Sequence, residues 1–167
     1  MTSAALERHF TATAFVSHGG HTLLLWHRKL GMWLPAGGHC EPNEDPVQTA
    51  CREALEETGF EIEIIPPPDL LTLNEPGPLV LPRPAVILIE DITIAGQPMH
   101  QHIDHVYFAR PLASEVDFAA PMPAGPHRWV TRGELAGAFS LPSSDGTLVA
   151  VAEDIRLLGV RAIAALE

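Results

Sequence analysis

Between Gly38 and Phe60 the chain has the sequence GHCEPNEDPVQTACREALEETGF, which places three carboxylates close together. Glu53, Glu56 and Glu57 lie three and four residues apart, so they share one face of any helix that contains them. Like charges at these spacings repel by roughly 0.2–0.5 kcal/mol per pair, so a helix that needed only solubility would interleave Lys or Arg. Negatively charged oxygen ligands concentrated in this way favour the binding of a divalent cation. Mg²⁺ together with a phosphate-bearing substrate is the usual case.

The same stretch predicts a helix from about Asp45 to Thr58. Asp45 is a good N-cap, Pro46 suits the first helical position, and Gln48 has the spacing of a capping box with Asp45. Gly59 is typical of a helix C-cap. One helix face has the i, i+3, i+4, i+7 pattern of residues that pack into a core, and its members are Val47, Ala50, Cys51, Ala54 and Thr58.

The composition is that of a globular protein in a reducing compartment. The 167 residues, 46% of them hydrophobic, suffice for a single domain covering residues 1–167. No apolar run approaches the roughly 18–20 residues of a membrane span, and residues 1–10 lack the pattern of a secretory signal. Cys40 and Cys51 are too few for a disulfide framework and do not form a CxxC pair. We therefore expect a cytoplasmic protein without a membrane partner.

The net charge of −11 limits the class of binding partner. Sequence-independent binding to a long nucleic acid requires clustered Lys and Arg, so this class of partner is not expected. A small nucleotide remains compatible with the charge, because bound metal ions locally reverse the sign of the field. The sequence allows a homo-oligomer but does not determine the oligomeric state.

Hydrophobic alternation predicts most of the secondary structure. Strands are expected at His9–Ser17, His21–Trp26, Phe60–Ile65, Asp69–Asn74, Ala85–Ile94, Ile103–Arg110 and His127–Val130. The segments 28–33 and 75–84 are expected to be loops, the second because it contains four prolines. A capping box at Thr131 and Glu134 predicts a brief helix, and Asp145–Leu166 a longer closing helix. Strands and helices mix without βαβ regularity, which predicts an α+β fold with helices flanking a mixed sheet.

The acidic stretch also fits a longer pattern, G-x5-E-x7-R-E-U-x-E-E-x-G-U, where U is an apolar residue. Its fixed places are filled in register by Gly38, Glu44, Arg52, Glu53, Ala54, Glu56, Glu57, Gly59 and Phe60. This pattern resembles the Nudix box, the motif of the Nudix hydrolases, which cleave a nucleoside diphosphate linked to another moiety. The resemblance implies a Nudix-type fold, in which a mixed sheet is flanked by helices as an α/β/α sandwich.

The resemblance implies a metal site for Mg²⁺ or Mn²⁺. Its expected ligands are the backbone carbonyl of Gly37 and the carboxylates of Glu53, Glu56 and Glu57. Metal held there would neutralise diphosphate oxygens and lower the pKa of a bound water, which attacks phosphorus in line. The implied reaction is Mg²⁺-dependent hydrolysis of a diphosphate bond in a small nucleotide derivative.

Two further residues of the box are expected to support these carboxylates. Arg52 can reach Glu56 at i+4, where its planar guanidinium would orient the carboxylate. Glu44 precedes the N-cap and is expected to steady Arg52 rather than to bind metal. The expected catalytic residues are therefore Arg52, Glu53, Glu56 and Glu57.

Outside the box, His100, His102 and Asp104 recur with period two and share one face of a strand. The preferred interpretation is that the row is the polar outer face of a half-exposed strand. Alternatively, the row could line the substrate cleft, supply a general base or bind a transition metal. The candidates for substrate binding are Arg28, His102 and Asp104. Lys29 beside Arg28 is a second cation that could meet phosphates.

Two groups of candidates stay open at this point. The general base of this family often comes from a loop outside the box, and Glu75 and Glu115 both lie in such loops. The tryptophans at positions 26, 33 and 129 could stack on a base, although core packing with a bonded indole N–H explains each of them.

Two alternatives to hydrolysis are compatible with the fold that the resemblance implies. One is a nucleotide-binding or sensing module that does not cleave its ligand, and the complete box counts against it. The other is isomerase chemistry on isopentenyl diphosphate, which is supported only by the shared fold. The substrate itself is not specified, because recognition residues lie in variable loops; nucleoside triphosphates, nucleoside diphosphate sugars and ADP-ribose are all candidates.

Overall fold

The computed structural model describes residues 6–73, 76–94 and 96–167. Its strands are β1 Arg8–His18, β2 His21–His27, β3 Met32–Leu34, β4 Ala36–His39, β5 Ile62–Ile64, β6 Val86–Ile92, β7 His100–Pro111, β8 His127–Thr131, β9 Ser140–Pro142 and β10 Leu148–Ala150. Its helices are α1 Pro46–Thr58, α2 Arg132–Leu135 and α3 Glu153–Ala164. None of these helices is long and apolar enough to cross a membrane.

Strand β1 is the centre of an eight-stranded mixed sheet. It pairs in parallel with β7, with Arg8 opposite Gln101 and Val16 opposite Ala109, and antiparallel with β2 and β4. Strands β5 and β6 pair with β7, and β3 and β8 pair with β2, all of them antiparallel. Strands β9 and β10 form a separate hairpin. The mixed sheet expected from the sequence is therefore confirmed.

Hydrophobic side chains pack on both faces of the sheet because alternate residues of β1 point to opposite sides. Ala12, Ala14 and Val16 belong to a core that also contains Ala50 and Ala54 of α1. The other face carries a second core, in which β1 contributes Phe15 and the remaining helices contribute Leu135, Ile155, Ala162 and Ile163. Helices thus cover the sheet on two sides, which confirms the α+β sandwich.

Helix α1 has the boundaries that its sequence predicts. The Asp45 side chain accepts hydrogen bonds from the backbone N–H groups of Val47 and Gln48, and the Gln48 side chain completes the capping box. Gly59 ends the helix with a φ of 79°, a left-handed conformation that glycine adopts without steric cost. The expected core face is present, since Ala50, Ala54 and Thr58 are buried and Val47 and Cys51 pack against the same core.

The closing helix is shorter than the expected Asp145–Leu166. The chain first turns at Asp145, whose carboxylate accepts hydrogen bonds from Ser143 Oγ at 2.5 Å and from the Thr147 backbone N–H at 3.0 Å. Residues 148–150 then pair with residues 140–142, and only from Glu153 does the chain become helical. Local side-chain bonds to the backbone thus favour a turn where hydrophobic spacing alone suggested a helix.

Gly159 lies inside α3, although glycine is unfavourable in a helix interior. The reason for its presence is packing. A Cβ added there would lie 3.1 Å from Leu135 Cδ1 and 3.1 Å from Thr22 Cγ2. The missing side chain lets α3 approach α2 and β2 closely.

Two other local predictions also differ from the structure. The strand expected at Asp69–Asn74 is absent over residues 69–73, while Asn74 lies outside the described residues. Three prolines precede this segment and further prolines follow it, and proline lacks the N–H donor that a strand ladder needs. Conversely, Met32 and Trp33 pair with β2 rather than lying in a loop. The expected loop is confirmed for residues 76–84, which carry neither helix nor strand.

Candidate active site

The acidic face of α1 lies against strand β4. The Gly37 backbone N–H donates a hydrogen bond of 3.1 Å to Glu57 Oε2, which joins the helix directly to the strand that carries the expected carbonyl ligand. Gly37 itself pairs with Thr13 in the centre of the sheet. The residues predicted to form the metal site thus lie on a helix and a strand that a direct hydrogen bond joins.

Arg52 connects the carboxylates of the box to one another. Its Nε and Nη2 donate to the two oxygens of Glu44 at 2.7 and 2.9 Å, and its Nη1 donates to Glu53 at 2.8 Å and to Glu56 at 3.3 Å. The Nη2 group also donates to the His39 carbonyl at 3.1 Å. Both contacts expected from the sequence, to Glu44 and to Glu56, are present, and the contact to Glu53 adds to them.

Glycine is required at position 38 because a carboxylate lies against the backbone. A Cβ added to Gly38 would overlap the Glu53 carboxylate, with Cδ only 2.6 Å away. At Gly37 a Cβ would lie 2.7 Å from Thr13 Oγ1 and 2.8 Å from the Ala12 carbonyl. Gly38 therefore lets the Glu53 side chain lie against β4, and Gly37 lets β4 lie close to the β1 backbone.

The pKa values of two glutamates are shifted in opposite directions. Burial, together with the nearby charges of Glu53 and Glu56, raises the pKa of Glu57 to about 7, against the lowering effect of its Gly37 hydrogen bond. Hydrogen bonds from Arg52 and Thr49 hold the pKa of Glu44 at about 2, and the same pairing raises the pKa of Arg52. Glu44 is consequently a fixed anion that neutralises Arg52, while Glu57 forms no ion pair with the residues that the structure describes.

A cleft of about 530 Å³ opens beside this carboxylate cluster. Glu56 and Glu57 line it, and so do all three residues predicted to bind substrate: Arg28, His102 and Asp104. Further ionisable residues of its wall are Lys29, His27, His39, Glu90 and Asp154. Residues that are as far apart in the sequence as His27 and Asp154 therefore surround one volume large enough for a nucleotide-sized ligand.

The row on β7 is not a solvated outer face. Asp104 is only 4% exposed, accepts a hydrogen bond of 2.9 Å from Thr11 Oγ1, and has its pKa raised by burial. His102 is partly buried, and burial together with the neighbouring imidazoles of His39, His100 and His9 lowers its pKa to about 4. The interpretation of the row as a polar surface is therefore wrong for His102 and Asp104, which belong to the cleft wall.

Glu90 is a cleft residue that sequence reasoning missed. It lies on β6, where the partly buried positions alternate with exposed ones and are otherwise apolar: Val86, Leu88 and Ile92. Burial, followed by the charges of Asp104 and Asp154, raises the pKa of Glu90 to about 7. A carboxylate at an inward register position of an apolar strand is the signal that could have identified it.

The other sequence candidates are spread through the molecule. Glu115 is exposed after β7 and is not among the residues that line the cleft, and Glu75 lies outside the described residues. Trp26 lines the cleft, whereas Trp33 and Trp129 are buried in the two cores. The indole N–H groups of Trp33 and Trp129 have no hydrogen-bond partner in the described part of the chain, so the bonded indole expected for them is absent.

The donor set of the cluster fits a hard divalent cation. Its carboxylate oxygens come from three glutamates, and burial together with the charges of Glu53 and Glu56 raises the pKa of Glu57. A divalent cation bound to the carboxylate oxygens would offset the repulsion between these charges. Oxygen ligands of this kind suit Mg²⁺ or Mn²⁺.

Comparison with known proteins agrees with this arrangement. A sequence model of the NUDIX domain family matches residues 7–150. A hydrolase of the NUDIX family from Clostridium perfringens superposes with a TM-score of 0.72 at 28% identity, covering 97% of this chain and 100% of that chain. The MutT protein from Methanosarcina mazei Go1 superposes with a TM-score of 0.61 at 17% identity, covering 99% of each chain. A comparison with curated protein sequences finds no match.

The matched region runs from the start of β1 to the end of β10 and includes the whole box. Within it, the box glutamates, their arginine and the strand glycines meet at one end of the cleft. The chain therefore belongs to the Nudix hydrolase family.

Proposed function

We propose that the protein is a Mg²⁺-dependent hydrolase, active also with Mn²⁺, that cleaves a diphosphate bond in a small nucleotide derivative. The observation that carries this proposal is the junction of α1 and β4, where Glu56 and Glu57 line the cleft beside Gly37. Glu53 lies against Gly38 and shares Arg52 with Glu56. The Gly37 carbonyl and the carboxylates of Glu53, Glu56 and Glu57 would hold the metal.

A divalent cation in such a site acts as a Lewis acid on phosphate oxygens and lowers the pKa of a bound water. The protein supplies the geometry for this chemistry. Arg52 fixes the Glu53 and Glu56 carboxylates, and Glu44 fixes Arg52 through two hydrogen bonds. Removing any member of this chain of contacts would let the carboxylates separate, since they repel one another.

Other residues of the cleft wall supply recognition and proton transfer. Arg28 and Lys29 are cations at the cleft and suit the negative charge of a diphosphate. Glu90 and Asp104 are carboxylates of the wall outside the box, and the pKa of Glu90, about 7, suits a general base at neutral pH. Trp26 offers an aromatic surface in the same cleft for a base.

A comparison of Glu56→Gln with Glu115→Gln tests the proposal. Both changes remove one negative charge, but only Glu56 lies in the cleft, so Glu56→Gln should lower turnover by at least about a hundredfold and Glu115→Gln should leave it unchanged. Turnover would be measured on a panel of nucleoside triphosphates, nucleoside diphosphate sugars and ADP-ribose with Mg²⁺ or Mn²⁺. Phosphate, pyrophosphate and nucleoside monophosphate would be quantified separately, which identifies the bond that is cleaved.

Equal turnover of Glu56→Gln and the wild-type protein would contradict the metal assignment. Nucleotides that raise the melting temperature of the wild-type protein without yielding any product would contradict hydrolysis itself and indicate a binding module.

A further inference from the structure

Four histidines from three adjacent strands meet at the end of the sheet next to the cleft. They are His9 near the start of β1, His39 at the end of β4, and His100 and His102 at the start of β7. One nitrogen atom from each ring lies within 4.8 Å of a nitrogen of every other ring. We refer to these four residues as the histidine cluster.

Strand register, rather than loop conformation, brings the histidine cluster together. His9 lies directly opposite His102 in the β1–β7 ladder, and His39 lies opposite Thr11, two residues along the same face of β1. His100 is two residues before His102 and therefore shares its face. The rings are consequently held by the backbone of the central sheet, which is the rigid support that a binding site needs.

The hydrogen-bonding groups of the histidine cluster are incompletely satisfied by protein atoms. His9 Nδ1 lies 3.2 Å from His39 Nε2, and the ring centroids of His39 and His102 are 4.8 Å apart. The Nε2 atom of His102 is buried and has no hydrogen-bond partner in the described part of the chain. A buried nitrogen without a partner is costly unless something else binds it.

The outer contacts of the cluster are those of metal-binding histidines. His9 Nε2 lies 3.0 Å from a Glu7 carboxylate oxygen, and His100 Nδ1 lies 3.3 Å from the Pro98 carbonyl. In these two rings one nitrogen can thus donate to an oxygen, and the other nitrogen of His9 lies on the cluster side, next to His39. Carboxylate or carbonyl partners of this kind orient histidine ligands and raise their basicity.

We propose that the histidine cluster is a second metal site, distinct from the glutamate site, that binds a divalent transition-metal ion of the Zn²⁺ type through four imidazole nitrogens. Nitrogen ligands select Zn²⁺, Ni²⁺ or Cu²⁺ over Mg²⁺, which prefers oxygen, so the two sites differ in the ion they accept. Four ligands match the tetrahedral coordination of closed zinc sites.

The proposed ion would connect β1, β4 and β7 at the rim of the cleft. His39 and His102 line the cleft, and the His39 carbonyl accepts a hydrogen bond from Arg52, which contacts Glu53 and Glu56. Binding at the cluster would therefore fix one wall of the cleft and one anchor of Arg52. This site goes beyond the proposed hydrolase function, and its occupancy can be measured without any substrate.

Titration of the untagged protein with Zn²⁺ in millimolar Mg²⁺ tests the proposal, because excess Mg²⁺ occupies the glutamate site. Isothermal calorimetry should show one Zn²⁺ bound per chain. His9→Ala and His100→Ala should each weaken Zn²⁺ binding by at least about tenfold. X-ray absorption of the zinc complex should show imidazole nitrogens at about 2.0–2.1 Å.

Two variants serve as controls. His18→Ala removes a histidine from the opposite end of β1, and Glu56→Gln removes a carboxylate of the other site; both should keep the wild-type affinity for Zn²⁺. The proposal is wrong if Zn²⁺ does not bind in the presence of Mg²⁺. It is equally wrong if His9→Ala and His100→Ala bind Zn²⁺ like the wild-type protein, or if Glu56→Gln alone abolishes binding. Circular dichroism of each variant verifies that it is folded.

Discussion

At the scale of single residues, Arg52 is the cation that allows so many carboxylates to share one helix face. It forms ion pairs with Glu44, Glu53 and Glu56 at 2.7, 2.8 and 3.3 Å. The pair with Glu44 engages both carboxylate oxygens, a geometry that a lysine could not reproduce. Burial and then the charges of Glu53 and Glu56 raise the pKa of Glu57 to about 7, while the hydrogen bonds from Arg52 lower the pKa of Glu44 to about 2.

Gly38→Ala is predicted to impair the site more than the fold. The new Cβ would overlap the Glu53 carboxylate, which must move away and leave its bond with Arg52. We expect turnover to fall at least about tenfold, with a loss of roughly 1–3 kcal/mol in the free energy of unfolding. Gly137→Ala is the matched control, because a Cβ at Gly137 meets no atom within 4 Å. Unchanged turnover in Gly38→Ala would show that the Glu53 position does not matter for activity.

At the scale of elements, the capped ends of α1 fix where the helix begins and ends, and with this the positions of its glutamates along the helix axis. Two hydrogen bonds from backbone N–H groups to Asp45 fix the first turn, and the Gly59 N–H donates to the Leu55 carbonyl at the last turn. The buried face then fixes the rotation of the helix against β1 and β4. Because both the caps and the core face are local patterns, the sequence predicted this element almost residue by residue.

Asp45→Ala should destabilise the protein by about 1 kcal/mol, because the N–H groups of Val47 and Gln48 lose their acceptor. Asp45→Asn should lower the free energy of unfolding by roughly 0.3 kcal/mol or less, since an asparagine oxygen caps a helix equally well. Urea denaturation at constant m-value measures both changes. If the two variants are equally stable, the cap does not determine the stability of α1.

At the scale of the whole molecule, the cleft concentrates carboxylates that belong to distant parts of the chain. Glu90 of β6 faces Asp104 of β7 and Asp154 of α3, and burial plus these charges raise its pKa from the ordinary 4.5 to about 7. In this pH range the folded protein therefore binds more protons at Glu90 than the unfolded chain. By linkage, the contribution of Glu90 to stability is greatest below pH 4.5 and is lost as the pH rises through 7.

Glu90→Gln should remove this loss of stability at high pH, because a glutamine side chain does not ionise. In EDTA, the melting temperature of the variant should equal that of the wild-type protein near pH 4.5 and exceed it by a few degrees, about 2–4 °C per kcal/mol, at pH 8. Glu115→Gln, at an exposed position, should melt like the wild-type protein at both pH values. A difference that is constant with pH would show that Glu90 is not perturbed.

Several boundaries and one whole segment could not be predicted because they depend on distant partners. Strand β3 pairs with β2, where Trp33 lies opposite Trp26, and its three residues are too few for an alternating pattern to predict a strand. The closing segment was expected to be helical from Asp145, but the bonds that Asp145 makes to Ser143 and Thr147 favour a hairpin. In both cases tertiary or side-chain contacts override the hydrophobic period.

The sequence by itself determined helix α1, its caps, the glutamates and arginine of its exposed face, and the resemblance that names the family. These features lie within 23 consecutive residues. The helix and its caps follow from helical geometry, whereas the family follows from the resemblance of the stretch to the Nudix box. Only the tertiary structure decided which residues complete the cleft, that Asp104 is buried, and that His9 and His39 meet the histidines of β7. Those neighbours are set by the register between strands up to about 90 residues apart, and no local pattern encodes that register.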